Sequence, residues 1–264
     1  KEVREAMAFF KKCEKLLGRK QLIVDVCGSH GLIGALFVAF GRAQRAVVLD
    51  IFQPQSFAQL CEAWRPWLST PLQLCAEVSD EAGAPTGPVT PAVAPNDPSV
   101  AVRFEVGDFY TTLPALLDSL PPADVGVVAC HACSHLTDGI IAMCVERGVK
   151  FAVMPCCQRD LQTQNQMAVV AKSLGIKEDA AIDVARMGGI LARGYDCRWR
   201  TIDAAITPKN RMLVGLGQVK SEAIDARRRI RDESTVKLGK IYKRVYEQAA
   251  PATTTTAAAA ASCG

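Results

Sequence analysis

The chain has 264 residues, 49% hydrophobic and 22% charged, which is enough apolar side chain for one sizeable core and too much for a mostly disordered protein. No apolar run approaches the roughly 20 residues that cross a bilayer as a helix, so no transmembrane segment is expected. The net charge is +4, and residues 220–244 hold nine of the 31 Lys/Arg but only four of the 27 Asp/Glu, so the other 22 basic and 23 acidic residues nearly cancel. That confined excess fits contact with RNA or a ribonucleoprotein, or with a membrane surface, and equally a solvated helix face. Eleven cysteines are too few for a disulfide scaffold in a chain this long, and several sit in apolar runs such as VVACHAC. Reduced thiols point to an intracellular compartment, with the mitochondrial or another organellar matrix among the options.

In chain order, apolar positions Val3, Met7, Phe10 and Leu17 spaced among lysines predict an amphipathic helix over 2–17, stopped by Gly18. QLIVDV (21–26) is a short apolar run between glycine-bearing segments, a buried strand. GLIGALFVAF (31–40) is helix-length and apolar nearly all round, as expected of a helix pressed on a sheet. A strand over 46–50 and a helix over 56–68, broken late by Pro66, follow. Residues 79–99 carry five prolines and little that could pack, and read as an inserted surface loop rather than a domain boundary. A strand over 100–106 comes next, then a helix with Thr112 as N-cap and Pro114 in its first turn.

The alternation continues with a strand over 124–130, a helix from Thr137 as cap to Arg147, and a strand over 150–154. Helices near 160–174 and 178–193 then precede strands over 197–202 and 211–217, joined by a turn containing Pro208 and Asn210. Strands buried on both faces and alternating with helices predict a doubly wound α/β sheet, and the short last connection predicts one antiparallel member. The expected organisation is an N-terminal helix (1–20), one domain over 21–218, a basic helix over 219–248, and a low-complexity tail over 249–264.

VDVCGSHGLIG (24–34) carries the first chemical signal. A strand ends in Asp25 and turns through Cys27, Gly28, Ser29 and Gly31 into a helix, so small residues let a ligand approach main-chain N–H groups at the helix start. The spacing does not match the dinucleotide G-x-G-x-x-G, but it matches D-x-G-x-G-x-G with Cys27 and Ser29 in place of two glycines. Asp50 ends the next strand, where a carboxylate can accept hydrogen bonds from both ribose hydroxyls, and Asp108 follows the third strand, within reach of an adenine amino group. A tight strand-to-helix turn with no ligand is the plain alternative.

VACHACSHLTD (128–138) and VMPCCQ (153–158) gather Cys130, His131, Cys133, His135, Asp138, Cys156 and Cys157 at the ends of two strands expected to be neighbours. Three readings compete: a zinc site, against which the irregular ligand spacing counts; a nucleophilic thiol after Pro155, that is Cys156; and cysteines acting as small buried hydrophobes while His131 and Asp138 shape an acceptor pocket. The third is preferred, and no metal ligands are assigned.

Taken together and in order, VDVCGSHGLIG, VVLDIFQPQSF, EVGDF, HAC with TD, MPCC and ITPKNR (206–211) resemble a class I S-adenosylmethionine-dependent methyltransferase family with HAC/TD/PCC signatures, over about residues 20–217. The resemblance implies a Rossmann-like sheet of seven strands with the final strand antiparallel, and S-adenosylmethionine as cofactor. It places Asp25, Gly28, Gly31, Asp50 and Asp108 on the cofactor, with Cys27, Ser29 and Cys130 beside them. His131, Cys133, Asp138, Cys156 and Cys157 fall on the acceptor side, where His131, Asp138 and Cys156 are the catalytic candidates. The implied activity is methyl transfer, with RNA as an acceptor suggested by the basic segment. The alternative is an inactive methyltransferase-like subunit of an organellar or ribonucleoprotein complex.

Overall fold

The computed structural model describes residues 1–69, 101–157 and 164–219. The proline-rich insertion, the start of the helix expected from 160, the basic helix with its suggested RNA contact and the low-complexity tail lie outside them. The elements are α1 (Glu2–Leu17), β1 (Lys20–Val26), α2 (Leu32–Ala39), β2 (Ala43–Asp50), α3 (Gln55–Ser69) and β3 (Val102–Val106). They continue with α4 (Phe109–Asp118), β4 (Val125–Cys130), α5 (His135–Arg147), β5 (Lys150–Met154), α6 (Gln164–Leu174), α7 (Glu178–Ala192), β6 (Tyr195–Thr201) and β7 (Arg211–Gln218). No described helix is long and apolar enough to cross a membrane.

The seven strands form one sheet in the order β3-β2-β1-β4-β5-β7-β6. Pairing is parallel from β3 through β5, and β7 runs antiparallel to both β5 and β6. This is the doubly wound sheet with one antiparallel member. β1 and β4 are central and buried almost throughout, hence apolar without alternation. The strand order reverses between β1 and β4, so the crevice above their carboxyl ends is the natural ligand position in an open α/β sheet. The register brings Asp25 level with Val48, Asp50 level with Val106, and Cys130 level with Met154.

Two apolar layers sandwich the sheet. α1 and α2 cover one face through Phe9, Phe10, Leu17 and Phe37, with Phe10 edge-on to Phe37 at 5.0 Å between ring centres. α4 and α5 cover the other through Leu113, Leu117, Ile140 and Cys144.

Several local expectations change. The buried stripe of α1 is Glu5, Ala6, Phe9, Phe10, Cys13 and Leu17, whereas Val3 is exposed, because the helix turns its 5-9-13 row toward the sheet. Pro66 does not end α3, which runs on to Ser69. The proline lacks only the bond to the Glu62 carbonyl, and both residues lie on the solvent side. Thr112 is not the cap of α4: Asp108 is, accepting hydrogen bonds from the N–H groups of Tyr110 (2.8 Å) and Thr111 (3.3 Å). α5 likewise starts before Thr137, from Ser134. Thr137 instead donates its hydroxyl to the Ala132 carbonyl at 2.6 Å, tying down the loop before the helix.

Candidate active site

The turn from β1 into α2 is held from both sides by carboxylates. Asp25 Oδ2 accepts the Gly34 N–H (2.9 Å) from the first turn of α2, and Asp50 Oδ2 accepts the Ser29 N–H (3.1 Å) while its Oδ1 takes the Ile51 N–H (2.8 Å). The three positions that the D-x-G-x-G-x-G pattern reserves for glycine are left-handed: Cys27 at φ 55°, Ser29 at 46° and Gly31 at 74°. The backbone thus keeps glycine geometry where two residues have side chains, at a cost of about 1 kcal/mol each. Gly28 is required for room rather than for φ, since a Cβ there would sit 2.8 Å from Asp25 Cγ and from Val48 Cγ1.

This turn opens on a cavity of about 650 Å³. Asp25, Cys27, Gly28, Ser29 and His30 form its floor, Cys130 and His131 from the end of β4 close one side, and Ser56, Gln59 and Leu60 of α3 another. Its remaining wall is the start of α1, with Glu2 and Glu5.

Two carboxylates in this wall are buried with an oxygen that has no partner: Asp25 Oδ1 and Glu5 Oε1. Asp25 is 1% exposed and Glu5 3%. Burial first, and then the charge of Asp50, push the Asp25 carboxyl up to about 7, against the opposing hydrogen bond from Gly34. The second Glu5 oxygen lies 3.4 Å from His131 Nε2, and Glu2 lies 3.5 Å from His30 Nε2. His30 Nδ1 also meets the Ser56 hydroxyl across the cavity mouth. A buried acceptor without a donor is costly, so this wall is complementary to a ligand that brings positive charge or N–H donors.

Beyond Asp50, the carboxyl ends of β2 and β3 carry an exposed apolar ledge: Ile51 (77% exposed), Phe52 (69%), Val106 (59%) and Tyr110 (48%). Asp50 directly precedes Ile51 and Phe52 and pairs in register with Val106.

No protein-family model matches this chain, and no curated protein matches it. Among solved structures it is similar to an rRNA methylase from Streptococcus thermophilus, at 11% identity over 81% of this chain and 95% of that one, with a TM-score of 0.42. It is also similar to M. capricolum TrmK in complex with S-adenosyl-homocysteine, at 8% identity over 80% and 68% of the two chains and a TM-score of 0.42. A third is the magnesium protoporphyrin IX methyltransferase of Synechocystis with the same product bound, at 12% identity over 83% and 82%, TM-score 0.42. The architecture rests on the strand order and register above, not on these likenesses.

Of the residues singled out in the sequence, the structure gathers Asp25, Cys27, Gly28, Ser29, Cys130 and His131 around one cavity. Gly31 starts α2 just beyond, where a Cβ would lie 2.7 Å from Val48 Cγ2 and 2.9 Å from Phe57 Cδ2. Asp50 does not line the cavity; it braces the turn from outside. Asp108 uses its Oδ1 as the cap of α4. Asp138 is gripped by Arg186 of α7 through Nε (2.7 Å) and Nη2 (3.1 Å). The same guanidinium reaches the Ser134 carbonyl (3.3 Å) and buried Asp183 (3.1 Å). Cys156 lies against Cys133, sulfur to sulfur 2.7 Å, with its thiol held above the ordinary range mainly by burial, so it is not poised as a nucleophilic thiolate.

Glu5 and the apolar ledge are what the sequence reading passed over. Glu5 was legible: it continues the 5-9-13 row of Phe9 and Cys13, and a carboxylate on the buried stripe of a helix needs a reason. Ile51 and Phe52 gave a weaker signal, two large apolar residues directly after a strand-ending acid.

Proposed function

We propose that this protein is an S-adenosylmethionine-dependent methyltransferase. The observation that carries the reading is a cavity floored by main-chain groups of the β1–α2 turn and lined by Asp25 and Glu5, two buried carboxylates that each keep an oxygen without a donor. S-adenosylmethionine brings both an ammonium and a sulfonium, the charges such a wall lacks. The exposed Ile51, Phe52, Val106 and Tyr110 offer apolar surface to an adenine ring, and Asp50, bonded to the cavity's Ser29 and to Ile51, retains lone pairs beyond its two main-chain bonds for ribose hydroxyls. Asp108 keeps Oδ2 for the adenine amino group while Oδ1 serves the cap.

In this reading Asp25, Cys27, Gly28, Ser29, Gly31, Asp50, Asp108 and Cys130 hold or shape the cofactor site. The donor methyl is already activated by its positive sulfur, so placing an acceptor in line supplies most of the rate. His131, whose ring lines the cavity beside Glu5, is the group positioned to take a proton from a nitrogen or oxygen acceptor. Cys156, packed against Cys133, and Asp138, held by Arg186, are given no catalytic role in this reading. RNA is the proposed acceptor, with the basic segment 220–244 appended to the 21–218 domain to supply phosphate contacts.

Calorimetry with S-adenosylmethionine and S-adenosylhomocysteine tests the reading directly. The expected result is saturable binding of both, weakened in Asp25→Asn. No heat with either at millimolar concentration would leave the chain as a methyltransferase-like assembly subunit.

A further inference from the structure

Cys133, Cys156 and Cys157 bring their three sulfurs within 4.8 Å of one another at the carboxyl ends of β4 and β5. We propose that these three cysteines bind a single thiophilic metal ion of the zinc class, with one coordination position left to a water or an exogenous ligand.

Geometry supplies the first argument. Four-coordinate zinc with sulfur at about 2.3 Å sets its thiolates about 3.8 Å apart, so three sulfurs inside a 4.8 Å circle are already at the required scale. Cys133 and Cys156, at 2.7 Å, need to open by only about 1 Å, which side-chain rotation provides. Adjacent residues in a strand point to opposite faces, yet Cys156 and Cys157 both reach the same point as Cys133. They do so because the chain leaves β5 at Met154 and turns through Pro155. A single disulfide would use only two of these sulfurs, whereas one soft cation uses all three.

The second argument is the support behind the sulfurs. Two main-chain bonds lace the loops together, His131 N–H to the Met154 carbonyl and Ser134 N–H to the Cys157 carbonyl, each 3.2 Å. The loop holds His131 at φ 75° and Ser134 at φ 51°, left-handed non-glycine positions on either side of Cys133. Thr137 bonds the Ala132 carbonyl and Arg186 the Ser134 carbonyl, so the position of Cys133 is fixed from behind. The His131 carbonyl meets both the Cys133 thiol (3.4 Å) and the Cys156 thiol (3.6 Å). These S–H bonds hold the two sulfurs in place before a metal arrives and are given up as the thiols lose their protons to it.

Among the described residues no fourth His, Cys, Asp or Glu joins the group. His131 turns its imidazole to Glu5 and the cavity, and Cys130 is not in the group although its spacing to Cys133 is C-x-x-C. Three protein ligands and an open position are the arrangement of a site meant to exchange its fourth partner. This proposal stands apart from the methyl-transfer reading, because it rests on other residues and is tested without a methyl donor.

The test uses the full chain, purified under reducing conditions and incubated with zinc or with cobalt(II) before gel filtration. The expected result is about one equivalent of retained metal and, with cobalt, a sulfur-to-metal charge-transfer band. Cys133→Ser, Cys156→Ser and Cys157→Ser should each weaken binding by about tenfold or more, while Cys61→Ser, in α3, retains it. Protection of Cys133, Cys156 and Cys157 from alkylation by the bound ion, lost on chelation, gives a readout on the unmutated protein should a variant not fold. Retention below about a tenth of an equivalent in the reduced protein would overturn the proposal. So would binding unchanged in all three variants, or recovery of Cys133 and Cys156 as a disulfide from zinc-treated protein.

Discussion

Replacing Asp25 by asparagine should move stability and ligand affinity in opposite directions. The carboxyl is buried and pushed from 3.8 up to about 7, so ionising it in the ligand-free fold costs about 4 kcal/mol. Its folded value lies above the unfolded one, so the penalty is absent below pH 3.8, grows between there and about 7, and is complete above. Asparagine keeps a neutral acceptor for the Gly34 N–H, as the protonated acid does, and the charge-strengthened part of that bond is already contained in the value of about 7. Asp25→Asn should therefore be more stable than the parent chain by up to about 4 kcal/mol at pH 8, with the difference shrinking as pH falls toward 4. Urea unfolding at the two pH values reads this. In the same variant the affinity for S-adenosylmethionine should fall, because a cationic ligand loses its counter-charge. In the unmutated protein, affinity should weaken as pH drops below about 7, where the ligand must first displace a proton. A variant that is destabilised equally at pH 8 and pH 5, or that binds the cofactor unchanged, would refute the reasoning.

Gly31→Ala should destabilise by about 3 kcal/mol or more in urea, since it adds left-handed strain to an overlap 2.7 Å from Val48 Cγ2; a loss under about 1 kcal/mol would show that the turn can relax. Arg186→Ala removes a charged partner from the buried Asp183 and should cost about 3–5 kcal/mol, whereas Asp138→Ala, whose partner keeps other contacts, should cost less than half of that. His131→Ala should lower the methyl-transfer rate by about 10²- to 10⁴-fold while leaving the dissociation constant for S-adenosylhomocysteine within about twofold, and an unchanged rate would remove the proton-accepting role.

The sheet was legible because its signals are collective. Each of β1, β2, β4 and β5 carries an apolar run, LIV, AVVL, VGVVAC and FAVM, long enough to mark a buried strand. Strand-ending acids were legible as well, but their use was not. Asp108 could be seen to follow a strand, yet only coordinates show that its Oδ1 is engaged as a helix cap. Asp138 likewise stands one helical turn from the loop, and the partner that takes it, Arg186, is 48 residues away in a helix the sequence does not link to it. The cavity's fourth wall was hidden for a related reason: α1 contributes Glu5 through its orientation on the sheet, which depends on the packing of Phe9 and Phe10 rather than on any local motif.

Carrying left-handed geometry on Cys27 and Ser29 also sets the shape of what can enter. A turn built of glycines would present bare main chain, whereas here a mercaptomethyl and a hydroxymethyl group belong to the same cavity lining. On the methyl-transfer proposal, discrimination among sulfonium analogues therefore falls in part to these two side chains, and trimming both to glycine should admit bulkier alkyl donors.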